Sequence, residues 1–395
     1  MRLVYVQAKH TRAIARGHPW LYRQAVEERP RALRTGDAVD LASSGRAFIG
    51  RGIWEEEASV ACRIWTLRDD ERIGEELFAQ RYHEANLLRD AAGLPSRSAA
   101  YRVVNAEGDR MPGVLVDRWG DWLTLTLQTP ALLPWRDRLA TALAETIPCE
   151  GIYAKFENDS VLLHGEPAPE ALVVAEPAAV VRVFPEVPGK SGLFTDMREA
   201  RALVAPMLEG RRFLNLFAHT GAWSAAAAAA GASEIVSVDL SGPYLGVANE
   251  NVEFSAPGYA AHTTVKSDVF AFLSRAESEG ETFDAILIDP PTFSSSRSSG
   301  SFNVKDRYRP LVRAALRVLE PRGLLLCATN FRGISRDDFL HMLHDAASKD
   351  EVDLRVLTVL GQPADHPVIP AFPEAAYLHF ALCATAVRPP VAWRP

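Results

Sequence analysis

The sequence predicts an α/β protein whose C-terminal half is a mostly parallel, doubly wound sheet, preceded by a small β-barrel and a central, β-rich α+β segment. Three observations predict it. Residues 180–390 alternate short apolar runs with helical stretches, the rhythm of βαβ units. Residues 1–66 instead hold several short strands and tight turns, which close most simply as a barrel. Finally, 395 residues exceed one compact domain, so two or three cores of ordinary globular composition are expected.

In the first segment, residues 3–6 alternate as a strand, and 36–41 read as turn then strand. Ser43-Ser44-Gly45 is a tight turn, and 48–53 and 60–65 are further strands. Residues 69–92 are charged with apolar positions at helical spacing, a helix linking two modules. The second segment gives strands at 101–104, 113–117 and 122–128, a helix at 135–147, and strands at 151–156 and 161–164. Prolines at 167, 169 and 177 mark its exit. In the third, strands are expected at 213–217, 235–239, 264–267, 285–289 and 323–329. Helices are expected at 222–230, 243–252, 269–276 and 309–319, and the Ser-rich run 294–301 reads as a mobile loop.

Composition excludes several classes. No run of 18 apolar residues occurs, so no membrane partner is expected, and the N-terminus lacks an export signal. Four widely spaced cysteines exclude a zinc ribbon or disulfide scaffold and fit a reducing cytoplasm. The histidines have no metal-ligand spacing; His18, His219 and His366 are read as structural or orienting, and no metal is expected. The net charge is -7, yet residues 1–53 carry ten basic residues against four acids, +6 on a body of -13. An Arg-dominated end on an acidic body suggests an anion-binding surface, nucleic acid foremost, or simply a solvated charged face.

In a parallel sheet, ligands sit beyond the carboxyl ends of the strands. Here the first strand of the third segment runs into Phe217-Ala218-His219-Thr220-Gly221, a turn that opens an alanine-rich helix, and no GxGxxG cradle is present. The second strand ends at Asp239-Leu240, where an acid can accept from both ribose hydroxyls. The third leads to Asp268-Val269, placed for an adenine amino group, and the fourth ends in Asp289-Pro290-Pro291-Thr292-Phe293. A single such Asp often only caps the next helix. Several acids at successive strand ends, without a pyrophosphate cradle, point to the cationic, phosphate-free cofactor S-adenosyl-L-methionine. Two successive prolines stiffen the exit from the sheet, so Asp289, Pro290 and Phe293 are expected beside an acceptor base.

These motifs resemble those of the bacterial class I methyltransferases that modify 23S ribosomal RNA, the group of the large-subunit methyltransferase I (cytosine-C5) enzymes. The resemblance spans nearly the whole chain. It rests on His18-Pro19-Trp20, 50–54, 101–104, 109–113, 116–118, 189–198, 289–293, 364–367, Pro373-Glu374 and Tyr377-Leu378. It implies a PUA RNA-binding domain (1–68), a central α+β domain (75–178) and a Rossmann-like methyltransferase domain (186–395). It places Lys190, Ser191, Gly192, Phe194, Asp196 and Arg198 in the wall that binds the methionine part of the cofactor. From the residues alone, Lys190, Asp196 and Arg198 fit a surface charge cluster equally well. Departures exist: residues 155–159 lack the family's usual basic motif, and His379 stands where Lys is usual.

Cytosine-C5 members attack the base with a cysteine just after the fifth catalytic strand. Aligning 322–326 puts Asn330 at that position; Cys327 lies three residues earlier and should face away. Thr292-Phe293-Ser294, Arg297 and Asn330-Phe331-Arg332-Gly333 instead resemble the half of a bifunctional 23S methyltransferase that makes 7-methylguanosine. The favoured reading is therefore methylation of guanine N7 in 23S rRNA, free or within a large-subunit assembly intermediate, with Asp289 and Asn330 holding the base. Arg12, Arg16, Trp20, Arg297, Arg307 and Arg332 are the expected RNA contacts, with Tyr308 at the exit of the Ser-rich loop. Cytosine-C5 methylation is the alternative; a non-catalytic assembly factor and an NAD-dependent oxidoreductase rank below it, and a homodimer is left open.

Overall fold

The computed structural model describes residues 2–188, 191–291, 293–296 and 300–386. The chain divides into two compact units: residues 1–174, 183–191 and 364–375 form the first, and 175–182, 192–363 and 376–395 the second. The barrel and the central segment, expected as separate domains, thus fall within one unit, which also takes in a stretch from near the C-terminus.

In the first unit, β1 (Arg2–Val6), α1 (Ala8–Ala15), β2 (Trp20–Tyr22), β3 (Val26–Glu28), β4 (Ala38–Ser43), β5 (Phe48–Trp54) and β6 (Val60–Thr66) build a six-stranded sheet ordered β2-β6-β5-β4-β1-β3. Its inward side chains, among them Val4, Val6, Leu21, Val39, Leu41, Trp54 and Ile64, make a core of their own. Helix α1 was not expected: its apolar positions are sparse, and only Ile14 is buried. Next come α2 (Glu75–Ala91), β7 (Ala100–Asn105), β8 (Val114–Trp119), β9 (Trp122–Leu127), α3 (Arg136–Thr146), β10 (Gly151–Phe156) and β11 (Asp159–Gly165). The strands form a sheet ordered β11-β10-β9-β8-β7, over which α2 and α3 bury a shared core with Phe78, Tyr82, Leu139 and Leu143. The 364–375 stretch is tied in by buried polar bonds. Arg89 grips Asp109 with both terminal nitrogens, at 2.5 and 2.7 Å, and donates to the Asp365 carbonyl at 2.7 Å, while the Arg102 amide donates to the Asp365 carboxylate at 2.9 Å.

A strand pair, β12 (Val173–Glu176) and β13 (Ala179–Arg182), follows. The second unit then runs α4 (Arg198–Val204), β14 (Arg212–Leu216), α5 (Ala222–Ala229), β15 (Glu234–Asp239), α6 (Gly242–Ser255), β16 (His262–Lys266), α7 (Val269–Glu279) and β17 (Phe283–Ile288). After these come β18 (Phe293–Ser296), β19 (Gly300–Asn303), α8 (Val304–Arg317), β20 (Leu319–Thr329), α9 (Arg336–Lys349), β21 (Asp353–Leu360) and β22 (His379–Ala386). The seven-stranded sheet is ordered β16-β15-β14-β17-β20-β22-β21, parallel across β16 to β20 and antiparallel at β22 and β21. Its strands are apolar on both faces because helices cover both, giving two cores on opposite sides. The doubly wound α/β expectation is met. Two local readings change: the Ser-rich run read as a mobile loop supplies the antiparallel pair β18–β19, with 297–299 outside the described residues, and β20 starts at Leu319. Among the described residues no helix is long and apolar enough to cross a membrane.

Candidate active site

Because β14 to β17 run parallel, their carboxyl ends share one edge of the sheet, and there lies a cavity of about 400 Å3. The turn after β14 is wound tightly: Phe217, His219 and Gly221 have φ of 59°, 49° and 74°. A non-glycine residue held this way costs about 1–2 kcal/mol, so the surroundings must fix it. They do so through backbone groups. The His219 amide donates to Asp239 Oδ2 at 2.9 Å, and Asn251, fully buried, donates to the Thr220 carbonyl at 2.7 Å. The Thr220 hydroxyl donates to the Gly192 carbonyl. Glycine is required at 221, since a Cβ there would lie 2.5 Å from that of Ala248.

Asp239 and Asp268 are held by backbone donors that leave acceptor capacity over. Asp239 takes the His219 amide on one oxygen and the Ser241 amide on the other, at 2.8 Å. Asp268 caps α7 through Oδ1 alone, from the amides of Phe270 (3.0 Å) and Ala271 (3.2 Å), while the residue also lines the cavity. Capping and ligand binding are therefore compatible in one carboxylate. Asp289 lines the far side with Pro290, Pro291 and Asn330. Burial, together with the nearby Asp196 carboxylate, pushes the Asp289 pKa up to about 7 against the pull of Arg201. Arg201, almost fully buried, is committed to Glu176 through Nε and Nη2 and to the Phe194 carbonyl at 2.9 Å, so its charge is neutralised. Asp196 accepts from the Tyr377 hydroxyl at 2.8 Å.

Of the residues expected to bind cofactor, Gly192, Phe194, Asp196, Phe217, Thr220, Asp239, Leu240, Asp268, Val269 and Asp289 line this cavity, and Gly221 shapes the turn between two of its lining residues. Lys190 lies outside the described residues, as do Arg297 and the side chain of Phe293. Ser191 belongs to the first unit, where its hydroxyl accepts from Lys155 Nζ at 3.0 Å; burial lowers the Lys155 pKa to about 8. Arg198 is packed away at 1% exposure, 3.6 Å from Glu199. Arg307 lines the cavity with its guanidinium 4.6 Å from the Phe270 ring centre, and Arg332 sits over Tyr377. In the first unit Arg12 and Arg16 are exposed, whereas Trp20 is engaged: its indole N–H donates to Glu107 at 2.8 Å and its ring packs on Phe372. His379 donates from Nε2 to the Ile334 carbonyl at 3.0 Å.

Sequence reasoning missed much of the cavity wall. His219 sits between Tyr244 (ring centres 4.3 Å apart) and Phe194 (5.2 Å), and Trp223 and Asn215 also line the cavity. Only His219 carried a signal, its place in the turn motif. Cys327 is fully buried in the core between sheet and helices, where burial holds its thiol far above the ordinary range, and no cysteine is among the described residues lining the cavity. Tyr308 is likewise core, its hydroxyl donating to the Ala328 carbonyl at 2.9 Å. Among the described residues no cluster of three metal-ligating groups occurs.

This donor set fits S-adenosylmethionine. Carboxylates with spare acceptor capacity suit hydroxyls, an amino group and a sulfonium; apolar and aromatic walls suit the adenine; the buried arginine is already neutralised and offers no phosphate seat. Comparison with known proteins agrees. Residues 152–380 match the model of the S-adenosylmethionine-dependent methyltransferases, and residues 4–67 that of a PUA-like domain. The chain is 32% identical over 377 residues to the "Ribosomal RNA large subunit methyltransferase I" of Shewanella amazonensis, covering 93% of this chain and 95% of the relative. To the protein of the same name from Erwinia tasmaniensis it is 29% identical, covering 97% and 99%. Among solved structures, SMU.776, a protein assigned as a methyltransferase and complexed with SAH, superposes with a TM-score of 0.89 at 25% identity, over 97% of this chain and all of that one. The chain belongs to the S-adenosylmethionine-dependent methyltransferases, in the family of the ribosomal RNA large subunit methyltransferases I, and its cofactor is S-adenosylmethionine.

Proposed function

We propose that this enzyme methylates N7 of a guanosine in 23S ribosomal RNA, free or within a large-subunit assembly intermediate. The substrate class follows from the names of its relatives and the PUA-like domain. The choice of atom is carried by one observation: the residue lining the cavity after β20 is Asn330, an amide, while Cys327 is sealed in the core. C5 of cytosine needs a thiolate to add at C6 first, whereas guanine N7 carries a lone pair in the ring plane.

When bound, the cofactor supplies a methyl group on a positively charged sulfur, which leaves as a neutral thioether as the N7–carbon bond forms. Asp239 and Asp268 hold the adenosine part through their remaining acceptor positions. Asp196, fixed by Tyr377, would hold the methionine part. The stiff Pro290-Pro291 exit keeps the base edge in register, so that proximity and orientation supply most of the rate. As the purine takes up positive charge, the ionised Asp289 carboxylate opposes it with a fixed negative charge at the same edge, and Asn330 holds a base-edge polar group.

The test is mass spectrometry of nucleosides from ribosomal RNA of cells with and without the gene. The reading expects a 7-methylguanosine that depends on the gene. A gene-dependent 5-methylcytidine would replace it with cytosine-C5 chemistry.

A further inference from the structure

The first unit contains a second concavity, of about 420 Å3, which the methyl-transfer chemistry does not use. Its wall combines the turn after α1 (Arg16, Gly17, His18), the end of β6 (Trp65 to Arg68), Arg81 of α2, the turn before β8 (Glu107, Arg110) and residues 369–371. All of these belong to the same compact unit.

Its polar groups are out of balance. Arg81 is 7% exposed, and its terminal nitrogen donates to Glu84 at 2.7 Å, yet its Nε–H is buried without a partner. Trp65 is 2% exposed, and its indole N–H is likewise buried and unmatched. Buried donors are nearly always satisfied, so two orphans in residues lining one cleft call for an acceptor that is not part of the chain. At the mouth, Arg16 and Arg110 are exposed and form no ion pair or side-chain hydrogen bond among the described residues. The carboxylates nearby are already engaged: Glu107 by Trp20, Glu71 and Glu84 by Arg81, and Asp70 by Arg68. Two exposed arginines and two unmatched buried donors, one of them also on an arginine, thus belong to residues lining one cleft whose neighbouring carboxylates are already engaged.

We infer that this cleft is a seat for a phosphate group of the RNA backbone. A phosphodiester supplies two acceptor oxygens and a negative charge and has no proton to donate, which matches a wall holding four arginines. Arginine is the residue suited to it, because its fork of N–H groups fits phosphate geometry. The inference rests on RNA being the substrate and adds the place where its backbone is held.

The experiment measures binding of a 23S rRNA fragment to the full-length protein by fluorescence anisotropy across a salt series, without catalysis. Arg16→Ala combined with Arg110→Asn removes both mouth cations; Asn is chosen because Arg110 has φ 55°, which Asn tolerates. Affinity is expected to fall about tenfold or more, and the slope of log affinity against log salt to shrink by about one for each arginine lost. Affinity for S-adenosylmethionine should not change, which establishes that the variant is folded. Trp65→Phe, which keeps the ring and removes one donor, should weaken RNA binding by a smaller factor and leave the slope alone. Unchanged affinity and slope in the double variant would overturn the inference while leaving the RNA reading intact. Failure of the unaltered protein to bind RNA would overturn that reading itself. Titration with inorganic phosphate separates the two sources: saturable phosphate binding lost in the double variant, with RNA affinity unaffected, would assign the cleft to a free anion and sink the RNA version.

Discussion

The cavity of the second unit and the cleft of the first are of similar size and opposite character. One is lined by four aspartates, with its buried arginine neutralised by Glu176; the other is lined by four arginines, with one glutamate already bound to an indole. A net charge of -7 conceals both. The contrast teaches that charge is arranged region by region to suit the ligand: carboxylates for a small cation, guanidiniums for a polyanion.

The contrast breaks first at Asp289. Asp289→Asn keeps size and removes the negative charge, so turnover should fall by about 10²–10³ while RNA affinity is unchanged. Labelled-methyl transfer and anisotropy check the two halves separately; equal losses in both would mean that the cavity and the RNA surface are not distinct. Next in size is Asp239→Ala, which removes a charged acceptor worth about 1.5–3 kcal/mol and should weaken S-adenosylmethionine binding by about 10- to 100-fold in calorimetry.

The raised pKa of Asp289 sets a pH dependence whose sign can be worked out. On the proposed function the ionised carboxylate is the working form, and burial together with the Asp196 carboxylate pushes its pKa up to about 7. Below that pH the free enzyme holds a neutral acid, so kcat/KM for S-adenosylmethionine should drop about tenfold per pH unit and level off above it. In Asp289→Asn this acid limb should vanish. Gly221→Ala sharpens the structural side. With φ at 74° and Ala248 2.5 Å from the new Cβ, it should cost about 1–3 kcal/mol of stability in denaturant unfolding. Cofactor affinity should fall with it, because the turn carrying Phe217 and Thr220 must shift.

The two regions also differed in how far the sequence revealed them. The aspartates at 239, 268 and 289 stand at strand ends, where periodicity and the parallel-sheet rule locate them without any knowledge of packing. Of their neighbours, His219 comes from the turn before α5, and Trp223 and Tyr244 from the first turns of α5 and α6; they line one cavity through the packing of α5 on α6, which local patterns do not encode. The strand pair β18–β19 was hidden by serine-rich composition, and α1 by its single buried position. In the arginine cleft, Arg16 was visible as part of a basic N-terminal end. Arg81 and Trp65 were not, since an unmatched buried donor is a property of three-dimensional packing. Nor does any local signal show that residues 364–375, between β21 and β22, pack in the first unit through Asp365.

The central claim is that methyl transfer here needs carboxylates and an amide but no thiol, and Cys327→Ala tests it most directly. Purified variant and parent would be reacted with 23S rRNA transcribed in vitro, and the digested nucleosides weighed by mass spectrometry. The account predicts 7-methylguanosine formed at close to the parental rate, with only the modest loss of stability that a small core void brings. Loss of activity in the variant, or 5-methylcytidine as the product of the parent, would contradict it.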